Sequence, residues 1–120
     1  MTSHGRRKGE SPAPVGAFLR IHLDTGFSIG PGKIALLEQI DATGSLSQAA
    51  RVLGMSYRRA WTLLDALNSG RWGPATTTSV GGSGGGGAAL TDFGRKLIRL
   101  YRDIESNVLT LSRSKVKAAL

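Results

Sequence analysis

The sequence predicts a mainly α-helical domain with a small β wing, which is an α+β class. Apolar residues recur at helical spacing in several segments between Pro31 and Ser112. Apolar and polar residues alternate from Ala17 to Leu23, which is typical of a half-buried strand. Two short segments of strand-like composition flank the glycine-rich run 81–87, GGSGGGG, which indicates a hairpin with a flexible tip.

Composition limits the classes of protein that this chain can represent. Its 120 residues suffice for one domain, and its net charge of +8 attracts polyanions such as nucleic acid or an anionic membrane surface. The lack of cysteine excludes disulfides, thiolate metal sites and cysteine nucleophiles. No apolar run approaches the roughly 20 residues that cross a bilayer, and the N-terminus lacks the apolar stretch of a secretory signal. We therefore expect a cytoplasmic protein with no membrane partner.

Three parts are predicted along the chain. Residues 1–15 are polar and basic and predict a disordered tail, either an arm that contacts a polyanion or a solvated leader. Residues 16–112 are predicted to form the folded domain. Residues 113–120 are predicted to be a frayed basic end.

Start and stop signals delimit the helices. Pro31 suits the first position of a helix, and Ser45 with Gln48 fits a capping box at the start of the next. Gly54 fits the left-handed position that ends a helix. With the capping residues included, the predicted helices span 31–43, 45–53, 56–68 and 91–112.

The second and third predicted helices are separated by a tight turn that contains Gly54. Two short helices joined by a three- or four-residue turn with glycine define a helix-turn-helix. The small pair Ala49-Ala50 allows the two helices to approach closely. The N-terminal end of the third helix is then positioned to enter the major groove of DNA. Followed by a hairpin and a long C-terminal dimerisation helix, this unit is a winged helix-turn-helix.

The third helix carries polar residues on its exposed side. Arg58 and Thr62 lie opposite the predicted buried stripe, and two arginines in a first turn oppose the helix dipole, which indicates a purpose other than helix stability. Arginine pairs bidentately with guanine, and hydroxyl groups contact phosphates or bases. A merely solvated charged face is the alternative. The residues predicted to contact DNA are Ser45, Ser47, Ser56, Tyr57, Arg58, Arg59, Trp61, Thr62, Ser83, Gly84 and Gly85.

The glycine-rich tip is a weak candidate for a nucleotide site. It lacks the Lys-Ser/Thr ending of a P-loop and lies between two strands instead of opening a helix. We predict that it approaches the DNA backbone with its amides; a loop without contacts is the alternative.

The last helix has apolar residues at spacings of four, three, four and three, which form a heptad stripe. The helix is longer than the small core requires, so we expect a homodimer. We expect the early part of the stripe to pack internally and the later part to contact the second chain. The predicted dimerisation residues are Leu97, Tyr101, Ile104, Val108 and Leu111.

Catalysis is not indicated. His4 and His22 have no partner at metal-ligand spacing, and no recognised catalytic motif occurs in the sequence. We expect neither enzymatic activity nor a metal or cofactor.

Two segments carry a family resemblance. GSLSQAARVLGMSYRRAW (44–61) and GGSGGGGAALTDFG (81–94) resemble the N-terminal DNA-binding domain of the ModE family of molybdate-responsive regulators, whose fold is related to the LysR type. The resemblance extends from Leu19 to Glu105. It implies a dimeric winged helix whose third helix contacts the operator. It also implies a lysine in the wing where this chain has Ser83. Full-length members carry a further oxyanion-binding portion, so we expect no molybdate-selective site within this domain.

These observations predict a sequence-specific transcription regulator. It would act as a homodimer on a roughly palindromic operator in double-stranded DNA, most simply as a repressor, and the resemblance links it to molybdenum metabolism. Three alternatives remain open: a non-specific architectural DNA-binding protein, a DNA-binding subunit whose effector-binding domain belongs to a partner chain, and an enzyme that holds a phosphate compound in the glycine loop.

Overall fold

The computed structural model describes residues 15–79 and 87–120. The predicted tail up to residue 14 and the tip residues Ser83, Gly84 and Gly85 lie outside the described residues. Within the described part the elements are β1 (Ile21–Asp24), β2 (Phe27–Ile29), α1 (Pro31–Thr43), α2 (Leu46–Leu53), α3 (Tyr57–Asn68), β3 (Thr76–Ser79), β4 (Gly87–Leu90) and α4 (Asp92–Ala119). The predicted fold class, an α+β winged helix with a long C-terminal helix, is confirmed.

The helix starts lie where the capping signals predict them. Ser56 Oγ accepts a hydrogen bond from the Arg59 amide at 3.1 Å, and the Ser45 hydroxyl accepts one from the Gln48 amide at 3.2 Å. Gly54 ends α2 with a φ of 67°, the left-handed conformation that glycine adopts without strain. One detail of the predicted capping box differs, because the Ser45 amide donates to Thr43 Oγ1 at 3.3 Å instead of to the Gln48 side chain.

Strand β2 is absent from the sequence prediction. It pairs antiparallel with β1, with Ile21 opposite Ile29 and His22 opposite Ser28. Three residues are too few to show an alternating pattern, so only tertiary burial reveals the strand. Phe27 and Ile29 are buried in the core, with Ser28 between them facing outward.

The core is built around α1, which packs against all three other helices and β4. Because α1 is surrounded on several sides, Leu36 is fully buried together with the predicted stripe of Ile34, Leu37 and Ile40. Helix α3 adds the predicted buried residues Ala60, Leu64 and Leu67.

The hairpin of β3 and β4 is fixed to the helical part of the fold through both of its strands. Asn68, the last residue of α3, accepts hydrogen bonds through Oδ1 from the amides of Ala75 at 2.9 Å and Thr76 at 3.0 Å. On the other strand, the Ala88 amide donates to the carbonyl of Gly44 at 2.9 Å. The described part of the wing is therefore held at a set position beside α2 and α3.

Helix α4 is longer than predicted. It continues to Ala119, through the segment 113–120 that we expected to fray. The hydrogen bonds of an α-helix are internal to the segment, and residues such as Lys115, Lys117 and Ala118 favour helix without a core to pack against. Basic residues near the C-terminus also interact favourably with the helix dipole. Within the described residues, no helix has the length and apolar composition needed to cross a membrane.

Candidate nucleic-acid interface

The N-terminal half of α3 lies at the surface and presents most of the predicted contact residues. Tyr57 is 57% exposed and Trp61 is 53% exposed, which is unusual for large aromatic side chains without a partner. Arg58, Arg59 and Thr62 are also exposed. This surface carries three kinds of groups that contact DNA, namely cations, a hydroxyl and aromatic rings.

Arg58 and Arg59 form no ion pair with another described residue. Within the described residues, no carboxylate lies within ion-pair distance of Arg58 or Arg59, whereas Arg71, Arg95 and Arg102 each have an acidic partner. Their guanidinium donors therefore remain available to an external acceptor. The hydroxyl of Thr62 donates to the Arg58 carbonyl at 3.0 Å, so its oxygen remains available only as an acceptor.

One flank of α3 borders a cleft of about 850 Å³ that we call the wing cleft. It lies between the start of α2, the face of α3 that carries Tyr57 and Trp61, and the ends of β3 and β4 that adjoin the loop between them. Its lining residues are Thr43, Gly44, Ser45, Leu46, Ser47, Gln48, Tyr57, Trp61, Leu64, Thr78, Ser79, Gly87 and Ala88. The structure thus brings four of the predicted contact residues together in one concave surface, namely Ser45, Ser47, Tyr57 and Trp61, whereas Ser56, Arg58, Arg59 and Thr62 line a neighbouring part of the α3 surface.

The hydroxyl groups of the wing cleft differ in their availability. The Ser45 and Ser47 hydroxyls lie 3.1 Å apart, and Ser45 also caps α2. Ser56, outside the cleft, is likewise committed to capping α3. Of the predicted serines that the structure describes, Ser47 is thus the one whose hydroxyl has the greatest freedom to bond an external phosphate.

Sequence reasoning missed part of this surface. Thr78 and Ser79 of β3 line the wing cleft, and Ser79 Oγ accepts a hydrogen bond from the Gly87 amide across the hairpin at 3.1 Å. The run Thr76 to Ser79 contains four consecutive hydroxyl residues, whose composition by itself predicts only a strand.

The predicted dimerisation stripe divides into two parts. Leu97 is 2% exposed and Tyr101 is 0% exposed within a single chain, so neither has surface left to contact a second copy. Their burial matches the internal packing expected for the early part of the stripe, because α4 packs there against α1 and β4. Ile104 and Val108 are half-buried, and Leu111 is 59% exposed.

A metal site does not form in the described part of the chain. Within residues 15–79 and 87–120, no three histidine or carboxylate side chains converge as ligands. His22 lies exposed on β1.

No family model matches the chain. Among curated proteins, it is 45% identical over 90 residues to the molybdenum-pterin-binding protein MopB of Rhodobacter capsulatus, covering 75% of this chain and 33% of that protein. It is 37% identical over 89 residues to the molybdenum transport protein ModE of Azotobacter vinelandii, covering 74% and 33%. It is 42% identical over 83 residues to the transcriptional regulator ModE of Yersinia pestis, covering 69% and 32%.

This domain belongs to the ModE family. The resemblance seen in the sequence is thereby confirmed for the N-terminal domain of that family. The chain spans about a third of the length of the ModE-family relatives that it matches.

Proposed function

We propose that the chain is a sequence-specific DNA-binding transcription regulator that acts in molybdenum metabolism. The observation that carries the proposal is the exposed N-terminal half of α3, which directly follows a tight glycine turn and bears Arg58 and Arg59 without internal ion-pair partners in the described structure. The names of the relatives, several of which are transcriptional regulators called ModE, support the same function. No chemical step on a substrate is part of this proposal.

In the proposed complex, α3 lies in the major groove. Arg58 is on the side opposite the buried stripe and donates two hydrogen bonds to a guanine edge, while Thr62 accepts a hydrogen bond one turn later. Tyr57 and Trp61 present apolar surface to the thymine methyl groups or sugars on the wing side. Contacts from Ser47 and from the wing tip to phosphates set the position of α3 without contributing sequence information.

Regulation in this proposal depends on a homodimer. The apolar residues Ile104, Val108 and Leu111 lie on the part of α4 that extends beyond the core, where a second copy of the helix can cover them. A twofold dimer would place two α3 helices about 34 Å apart, which matches half-sites one DNA turn apart and a roughly palindromic operator. Occupation of a promoter by such a dimer represses transcription. The location that follows is the cytoplasm, where bacterial DNA resides.

The decisive experiment is footprinting and affinity measurement on the DNA upstream of the chain's own gene. Arg58→Ala should cost about 1–3 kcal/mol, roughly 5- to 150-fold in affinity, and should relax the preference at one base pair. Arg99→Ala, which removes the same charge from the exposed side of α4, is the matched control and should leave the base preference unchanged.

The same measurement separates this proposal from non-specific architectural binding. A regulator should bind its operator at least about 10³-fold more tightly than random duplex, whereas an architectural protein shows a ratio near one. An unchanged footprint for both Arg58→Ala and Arg59→Ala would remove α3 from the recognition role.

A further inference from the structure

A second cleft lies on the other flank of α3 and is rich in positive charge. We call it the basic cleft; it has a volume of about 140 Å³. Its lining residues are Arg20, Ser28, Gly30, Pro31, Gly32, Lys33, Arg59 and Leu63. Three cationic side chains therefore converge from three segments that are distant in sequence, and no carboxylate lines the cleft.

Lys33 is held in place in this cleft. Its Nζ donates to the Ser28 carbonyl at 2.8 Å, which leaves two of its three donors for another acceptor. Burial lowers the pKa of Lys33, and the nearby charge of Arg20 lowers it further. Within the described residues, none of the three cations has an acidic partner within ion-pair distance. An external anion would relieve this repulsion.

The basic cleft is continuous with the exposed face of α3. Arg59 and Leu63 line both the basic cleft and the shallow surface that carries Arg58 and Thr62. Tyr57 and Trp61, one turn apart on α3, face the wing cleft, whereas Arg59 and Leu63, also one turn apart, face the basic cleft. The two clefts thus border opposite flanks of one helix.

This arrangement matches the shape of the major groove. The groove is about 12 Å wide and a helix with its side chains is about 10–12 Å across, so a helix in the groove has a sugar-phosphate backbone along each flank. The wing cleft faces one of these backbones. A group of cations without acidic partners is suited to the other, since arginine and lysine form strong charge-assisted hydrogen bonds to phosphate.

We propose that the basic cleft binds a backbone phosphate of the DNA strand that borders α3 on the side away from the wing, with Arg20 and Lys33 as contacts additional to Arg59. The proposal rests on the proposed DNA-binding function and assigns a role to two residues that the sequence motifs do not include. Contacts on both flanks would fix the depth and rotation of α3 in the groove, while the residues between them determine the sequence preference.

The test measures affinity and its salt dependence for Arg20→Gln and Lys33→Gln. Fluorescence anisotropy is recorded on an operator duplex and on a scrambled duplex between about 0.1 and 0.3 M salt. Each variant should reduce the slope of log K against log salt by about 0.9, because one phosphate contact is lost. Between 1 M and 0.1 M salt, one decade, a slope difference of about 0.9 changes the binding constant about eightfold. Each variant should therefore bind both duplexes about eightfold more weakly than the wild type at 0.1 M salt. Lys117→Gln removes the same charge at the exposed end of α4 and should keep the wild-type slope.

Three results would overturn the proposal. If both cleft variants keep the slope and affinity of Lys117→Gln while the wild-type protein binds DNA, the basic cleft does not contact phosphate. If a variant weakens only the operator complex, the residue contacts a base and not the backbone. If the wild-type protein binds neither duplex, the proposed function fails first, and the basic cleft with it. Arg20 is exposed, so Arg20→Gln tests the cleft even if Lys33→Gln disturbs folding.

Discussion

Replacement of Gly94 by alanine tests how closely α4 approaches the wing. Gly94 lies in the first turn of α4 and is buried. A Cβ added there would overlap the carbonyl oxygen of Ala75 and lie 3.2 Å from its carbonyl carbon. These are backbone atoms at the start of the wing, so they cannot rotate away as a flexible side chain would. The helix and the strand must separate instead.

The cost of Gly94→Ala can be estimated from this contact. Forcing an extra carbon into a packed site costs about 1–3 kcal/mol. The same Ala75 carbonyl accepts a hydrogen bond from the Thr91 amide at 2.9 Å, and its loss adds about 1 kcal/mol. Alanine returns about 1 kcal/mol through its higher helix propensity. The expected net loss is about 2 kcal/mol, which for a chain of 120 residues lowers the melting temperature by about 8 °C.

Thermal unfolding followed by circular dichroism measures this loss, and Gly32→Ala is the matched control. Gly32 lies in the first turn of α1, where an added Cβ meets nothing within 4 Å. This control should therefore melt at or slightly above the wild-type temperature. A Gly94→Ala protein that melts as high as the wild type would show that the approach of α4 to Ala75 is looser than described, and the reasoning would be refuted.

Four further outcomes are expected. Asn68→Ala should lower the free energy of unfolding in urea by about 2–4 kcal/mol, because the amides of Ala75 and Thr76 lose the side-chain oxygen to which they donate. Asn68→Asp keeps an acceptor oxygen and should cost less. Tyr101→Phe should cost about 1–2 kcal/mol in the free energy of unfolding, since the hydroxyl of the buried Tyr101 donates to the carbonyl of Leu19 at 3.0 Å. Burial raises the pKa of Tyr101, so its contribution to stability is fully present below about pH 10 and is lost as the pH rises through the folded-state pKa; alkaline unfolding of Tyr101→Phe should lack this component. Ile104→Asp should sediment as a monomer with little change in melting temperature, whereas Asp103→Ala should remain dimeric; if the wild-type protein is itself monomeric at micromolar concentration, the dimer proposal fails. Millimolar molybdate should weaken DNA binding no more than sulfate of equal ionic strength, because both act by screening, and a molybdate-selective effect in calorimetry would contradict this expectation.

The starts and ends of the helices could be predicted from the sequence because they depend on local interactions. A capping residue bonds an amide only three positions along the chain, as Ser45, Ser56 and Thr91 do, so the helix starts could be predicted from neighbouring letters alone. The same holds for Gly44 and Gly54, whose left-handed conformations end α1 and α2. From these signals followed the helix-turn-helix and the exposed position of Arg58.

The sequence prediction is incomplete for features that depend on contacts between segments distant in the chain. Strand β2 forms because β1 pairs with it and because the core buries Phe27 and Ile29. A segment of three residues is too short to show this burial as an alternating pattern. Helical spacing placed Leu97 and Tyr101 on one stripe with Ile104, but spacing does not say whether a stripe meets its own core or a second chain. Only the packing of α4 against α1 and β4 shows that Leu97 and Tyr101 lie in the core of their own chain.

The candidate interface shows the same division. The sequence by itself determined that α3 follows a glycine turn and carries cations in its first turn. That Thr78 shares a cleft with Tyr57, and that Arg20 and Lys33 share another with Arg59, was decided by tertiary structure alone. The physical reason is that backbone propensity and capping act over about four residues, whereas a binding surface forms wherever hydrophobic burial brings separate elements together, and that convergence leaves no local pattern in the chain.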